Sequence, residues 1–208
     1  FVASINDKEF VNKIAGSDYL IYFFSEADIE QSIIDLGPDL VVNDILNTEN
    51  TYIRKLKDNN IKTVNFEDLG TGASFADITC NELYDRQIID GENIYWGSDF
   101  LFLREEFSDA RQRSFHNKVD QLLITFGGSD QFNLTMISLK AVQSLCHDHR
   151  IKIHIVTGPG YKFQQQLLAL LDKTGMENVE HTNATGIMSE IMENSDIAIS
   201  SNGRTVYE

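Results

Sequence analysis

The stretch Gln121–Asn133, QLLITFGGSDQFN, joins an apolar run to a pair of glycines and two residues able to cap a helix. Leu122–Phe126 reads as a strand and Gly127-Gly128 as a turn. Ser129 or Asp130 then caps a helix running from about Gln131 to His147. A strand, a glycine turn and a helix start place backbone N–H groups and the positive helix end beside one cleft, which favours phosphate or another anion. Glycine lets a ligand approach with no Cβ in the way. A second stretch of this kind is Ser200–Glu208, SSNGRTVYE. Ser201, Asn202, Gly203 and Thr205 offer hydroxyls, an amide and backbone donors, Arg204 adds charge for a phosphate clamp, and Glu208 can accept from vicinal ribose hydroxyls. Gly158, within Thr157–Gly160, and Ile187, after Gly186, lie on turns of the same pattern. Asp44, Asp68 and Asn81 end or follow apolar runs, where open parallel sheets carry their working residues. Each group also has a plainer reading as a turn or capping residue.

The elements that must position these groups alternate regularly. In the first half, runs at 19–24, 39–44, 61–66 and 77–81 read as strands, the first of them buried. Helices fall between them: Ser25 and Asp28 start one that ends at Gly37-Pro38, and residues 50–58 form the next. The chain itself opens on a helix-like segment, with neither strand nor glycine loop before it. Residues 85–120 read as a connecting region, with DARQRSFHNK (109–118) as an exposed linker. In the second half strands are expected at 121–127, 151–157, 179–181 and 196–200, with helices at about 131–147, 161–173 and 187–194. Short strands alternating with helices mean a parallel α/β sheet. The expected fold is two Rossmann-like halves, incomplete at both termini: 1–112 with the linker, and 113–208 as the nucleotide-binding half.

Composition removes several classes. The 208 residues carry a formal net charge of −15, which argues against nonspecific nucleic-acid binding. That charge is uneven, with nine basic against twenty-two acidic residues in 1–112 and eight against ten in 113–208. Cys80 and Cys146 form no disulfide framework and point to a reduced, cytoplasmic setting. No apolar run reaches the ~18 residues a membrane span needs. Cys146, His147, His149 and His154 fall at a helix end and the next strand, so no metal is assigned, and no cofactor is called for.

Together, DLVVND (39–44), VNFEDLG (64–70), ADITCN (76–81), WGSDFLFLREEF (96–107), LLITFGGSD (122–130) and SDIAISSNGRTVYE (195–208) resemble the UDP-sugar hydrolases of pseudaminic acid biosynthesis and the spore coat polysaccharide biosynthesis protein G family, of the glycosyltransferase-B superfamily. The resemblance covers most of the chain in order. It implies a two-domain nucleotide-sugar protein. UDP would lie on the second domain: diphosphate at 127–128 and 201–205, ribose on Glu208, uracil near Ile187. The sugar would face Asp44, Asp68 and Asn81. In such hydrolases water attacks the anomeric carbon and UDP departs, its charge stabilised electrostatically. The family's N-terminal Gly-x-Gly-His-x-x-Arg loop, with its catalytic histidine, is absent here, and Leu46 stands where some members have an aromatic. The chain therefore reads as a piece truncated at both ends and inactive by itself. A UDP-sugar hydrolase is the leading expectation, a UDP-sugar glycosyltransferase the next. A non-catalytic nucleotide-sugar-binding domain, or an unrelated α/β domain, are the remaining readings.

Overall fold

The computed structural model describes residues 1–15, 18–108 and 117–208. The chain divides into two compact units, Phe1–Phe102 and Leu103–Glu208. The sequence boundary near 112 lies outside the described residues, as does most of the 109–118 linker. Both units are α/β with parallel sheets, the Rossmann-like class expected.

In the first unit, β1 (Val2–Ser4) leads through a 3-10 turn to α1 (Lys8–Ala15), and β2 (Tyr22–Phe24) pairs parallel with β1. The expectation of a helical start is corrected here: a strand comes first, and only Lys8 onward is α-helical. The supposed buried strand at 19–24 is also shorter and largely open. Tyr19 and Leu20 are exposed, because a sheet of two strands has no neighbours to bury its residues. Then follow α2 (Ile29–Leu36), β3 (Leu40–Asp44), α3 (Asn50–Asp58), β4 (Lys62–Phe66), β5 (Ile78–Asn81) and β6 (Ile94–Trp96). Gly37 ends α2 in the left-handed region (φ 61°), where a Cβ would be strained. Strands β3-β4-β5-β6 form one parallel sheet in that order. β6 lies inside the stretch expected to be mere connection. Three residues are too few to show a period, so only pairing with β5 reveals it.

A ladder of polar side chains lies under this sheet. Asn43 Nδ2 donates to Asn65 Oδ1 (2.8 Å), and the Tyr52 hydroxyl on α3 donates to Asn43 Oδ1 (2.8 Å). Burial, helped by Glu30, pushes the Tyr52 phenol up to about 12, so it stays a donor. The apolar core beside it is built by Ile33, Tyr52, Ile53, Leu56 and Ile61.

The second unit contains β7 (Gln121–Thr125), α4 (Leu134–Asp148), β8 (Lys152–Thr157), α5 (Gln164–Thr174), β9 (Val179–Asn183), α6 (Met188–Glu193) and β10 (Ile197–Ser200). All four strands are parallel, ordered β10-β7-β8-β9. Successive strands step one way from β7 to β9, and then β10 returns to the other side of β7. The order therefore reverses at β7, and the carboxyl ends of β7 and β10 flank the crevice where such sheets bind ligands. One face is packed by Leu122, Ile124, Leu139, Ile153, Ile155 and Leu167. The other holds Leu123, Val156, Met188, Ile191 and Phe107, so the LREEF segment belongs to this unit's core.

Helix α4 starts three residues later than its cap in the sequence suggested. Asp130 (φ 38°) and Asn133 (φ 55°) are both left-handed, which keeps 130–133 out of the helix.

Candidate functional site

The switch-point crevice of the second unit is a cavity of about 340 Å³. Gly127, Gly128, Gly158, Arg204, Thr205 and Glu208 line it, as the sequence expected. Thr157, from the Thr157–Gly160 turn, lines it as well, and so do Thr125, Thr185, Met188 and Arg104, to which sequence reasoning had given no role there. Gly127 adopts φ +72° with open space around it, and Gly128 is equally open. Gly158 is the opposite case. A Cβ there would run into the backbone of Gly128, and Gly160 N donates to Gly128 O at 2.9 Å. The two glycine turns are thus packed backbone to backbone, and Gly158 is what permits it.

The helix behind the turn contributes less than its sequence promised. Asp130, not Ser129, caps it: Oδ1 accepts from Leu134 N and Oδ2 from Thr135 N, each at 2.8 Å. A carboxylate of the chain itself already fills the first-turn amides, so an anion at 127–128 meets the glycine turn and not an open helix end. Tyr161 fastens the same loop by donating to Asn133 Oδ1 at 2.6 Å. Burial, then the Asp130 charge, raises its phenol to about 12 and preserves that donor.

Of the terminal segment, Ser201 and Asn202 are exposed and, with Gly203, lie outside the cavity wall. Residues Arg204–Val206 form a single 3-10 turn, where the sequence suggested a helix start. Ser129 is half-buried and also off the wall. Ile187 is exposed beside the wall residues Thr185 and Met188, its N–H donating to Thr185 Oγ1 at 3.1 Å.

Arg104 makes two ion pairs at the crevice. Its guanidinium lies 5.1 Å over the Phe107 ring, 2.7 Å from Glu106 and 3.4 Å from Glu208. Glu106 in turn accepts from Ser189 N at 3.0 Å, near the start of α6. Glu208, expected to be free for a ribose, is therefore held by an arginine. The signal was in the sequence, since Arg104 stands beside two carboxylates in LREEF, but nothing there shows that Glu208 lies opposite.

In the first unit the three strand-end residues have different surroundings. Asp44 is exposed at the end of β3. Asp68 is fully buried and accepts four hydrogen bonds: Oδ1 from Thr48 N (2.9 Å) and Gly70 N (2.8 Å), Oδ2 from Thr48 Oγ1 (2.5 Å) and Asn65 Nδ2 (2.6 Å). Its lone pairs are spent on joining the loops after β3 and β4, so it cannot meet a substrate as acid or base. Asn81 is equally buried, with Nδ2 donating to Asp68 O at 3.0 Å. Of the three residues named as catalytic, only Asp44 reaches solvent.

Among the described residues no group of three or more His, Cys, Asp and Glu is arranged to hold a metal. His154 Nε2 instead pairs with Thr182 Oγ1 (2.9 Å), and His181 Nε2 with Thr157 Oγ1 (2.9 Å). No helix of the described residues is long and apolar enough to cross a membrane.

No protein-family model matches the chain. It is similar to an uncharacterized protein of the archaeon Methanocaldococcus jannaschii, 28% identical over 218 residues. That match takes in 98% of this chain and 45% of the relative, so the chain spans less than half the length of the protein it matches.

Proposed function

We propose that the second unit binds a nucleoside diphosphate, the leaving part of a UDP-sugar, in the crevice between β7 and β10. The observation that carries this reading is the convergence at one topological switch point of the Gly127-Gly128 turn, the close-packed Gly158 turn and the Arg204–Glu208 segment. Backbone donors of the glycine turn and the guanidinium of Arg204 suit a diphosphate, while the Thr125, Thr185 and Thr205 hydroxyls supply neutral donors around it. Uridine as the base rests on the sequence resemblance, as does assignment to surface-polysaccharide or sialic-acid-like sugar biosynthesis.

The reaction proposed is hydrolysis of the UDP-sugar, water displacing UDP from the anomeric carbon. The part played by this crevice is to stabilise the charge growing on the departing diphosphate. One observation favours a second reading, a nucleotide-sugar-binding domain without catalysis. Asp68 and Asn81 are sealed inside the first unit, leaving Asp44 as the exposed member of the expected set.

Calorimetric titration of UDP, with ADP and CDP as controls, tests the site. A Cβ at Gly128 meets nothing within 4 Å, so Gly128→Val is expected to fill the crevice and block binding while sparing the fold. Uridine-selective binding that Gly128→Val abolishes supports the proposal. Equal affinity for the three nucleotides, or binding unaffected by Gly128→Val, overturns it. Product analysis of a UDP-sugar with and without Asp44→Ala then separates hydrolysis from binding alone.

A further inference from the structure

Arg104 and Glu208 line the same crevice, and both belong to the second unit. Arg104 is held unevenly there. It precedes the 3-10 turn Glu105–Phe107, which Phe107 pins into the core beside Met188 and Ile191. Glu106 Oε1 lies 2.7 Å from Arg104 Nη1, while Oε2 of the same carboxylate accepts from Ser189 N at 3.0 Å. One edge of the guanidinium is therefore tied, through Glu106, to the start of α6. The other edge meets Glu208 at 3.4 Å, well beyond the ~2.7–2.9 Å of a strong charge-assisted hydrogen bond. Two carboxylates share one guanidinium, the first tightly and the second loosely.

The loose contact is the one a ligand can exchange. The Arg104 side chain is 51% exposed and open to an incoming anion, whereas that of Glu208 is 12% exposed. Phosphate oxygens make shorter, two-pronged contacts with a guanidinium, and a diphosphate brings more charge than a carboxylate. It draws Nη2 from Glu208 while Glu106 and the Phe107 ring keep Arg104 in place. Ion pairs as open as this one are weak, so a single ligand group suffices to break it. Glu208 is then a largely enclosed carboxylate that has lost its cation. Leaving such an acceptor without donors is costly, and the two vicinal hydroxyls of a ribose supply them.

We infer that the Arg104–Glu208 pair is a latch on the crevice: the diphosphate of a nucleotide takes Arg104, and that exchange releases Glu208 to the ribose. The inference rests on the nucleoside diphosphate site proposed above. It makes Arg104 a residue that sets specificity, favouring a diphosphate over a bare nucleoside in two ways. It binds the phosphates, and until they arrive it blocks the acceptor that the ribose needs.

The test is calorimetric titration of UDP and of uridine into the full chain, its Arg104→Ala variant and the double variant Arg104→Ala/Glu208→Gln. Arg104→Ala should bind UDP about tenfold more weakly, having lost a phosphate partner, and uridine about two- to fivefold more tightly, because Glu208 is released. The double variant should lose the gain for uridine. Arg104→Met keeps an unbranched stem over the Phe107 ring, guards against a folding defect and should behave as Arg104→Ala does. A residue that only shaped the crevice would shift both ligands in the same direction, and a simple phosphate contact would leave uridine unchanged. Uridine affinity that is unchanged or lower in both Arg104 variants therefore overturns the latch, as does a gain that survives in the double variant. In either case UDP binding that Gly128→Val abolishes leaves the nucleotide site standing. Absence of UDP binding to the unaltered chain removes the site and the latch together.

Discussion

Replacing Asp68 by alanine should destabilise the first unit heavily, because four donors converge on a carboxylate that water does not reach. The substitution strands Thr48 N, Thr48 Oγ1, Asn65 Nδ2 and Gly70 N. Each buried polar group left unsatisfied costs about 1–3 kcal/mol. The Thr48 hydroxyl can turn, and Asn65 Nδ2 retains Thr48 Oγ1 at 3.2 Å, so the four do not add in full. A loss of about 3–5 kcal/mol is expected, the size seen when one partner of a buried charged network is removed. Asp68→Asn keeps an acceptor for the two backbone donors and should lose only about 1–2 kcal/mol, chiefly by opposing its NH2 to that of Asn65. The chain has one tryptophan, Trp96 on β6 in the same unit, so urea unfolding followed by its fluorescence reads the right part of the molecule. Losses for both variants within about 0.5 kcal/mol of wild type would refute the structural role argued for Asp68. So would equal losses for the two.

Three further outcomes follow from the second unit. Gly158→Ala should weaken UDP binding by calorimetry at least about tenfold, since its Cβ forces the Gly128 turn to move; unchanged affinity would contradict the packed-turn geometry. Asp130→Ala removes the acceptor for Leu134 N and Thr135 N and should lower stability by about 1–2 kcal/mol in denaturant unfolding. Burial, and then His154, holds the His181 imidazole below its usual 6.5. The unfolded chain therefore takes up the proton first as pH falls below 6.5, so stability is greatest above that value and declines until the folded pKa is passed. Melting temperatures from about pH 8 to about pH 5 should show this fall, and His181→Asn should flatten it.

The alternation of apolar runs with helical segments was enough to place most strands and helices, because a half-buried sheet and an amphipathic helix each impose a period on the chain. β6 escaped because three residues carry no period, and β1 because it is equally short. The late start of α4 was hidden for a different reason. Asp130 and Asn133 hold positive φ in a loop that the Tyr161 hydroxyl fastens from beyond the end of β8, a contact 28 residues away that the local sequence does not show. The glycines at 127, 128 and 158 were legible as turns, whereas their packing against one another depends on β7 and β8 being neighbours. Asp68 shows the limit most clearly. In sequence it is a carboxylate after a strand, equally suited to catalysis or to capping. Its burial, and the four donors that reach it from three separate segments, give it the second role. Residue types and spacing determine which chemistry is present on a chain. Which groups remain open to a ligand is decided by tertiary contacts, since only these distribute solvent, charge partners and hydrogen bonds among otherwise identical side chains.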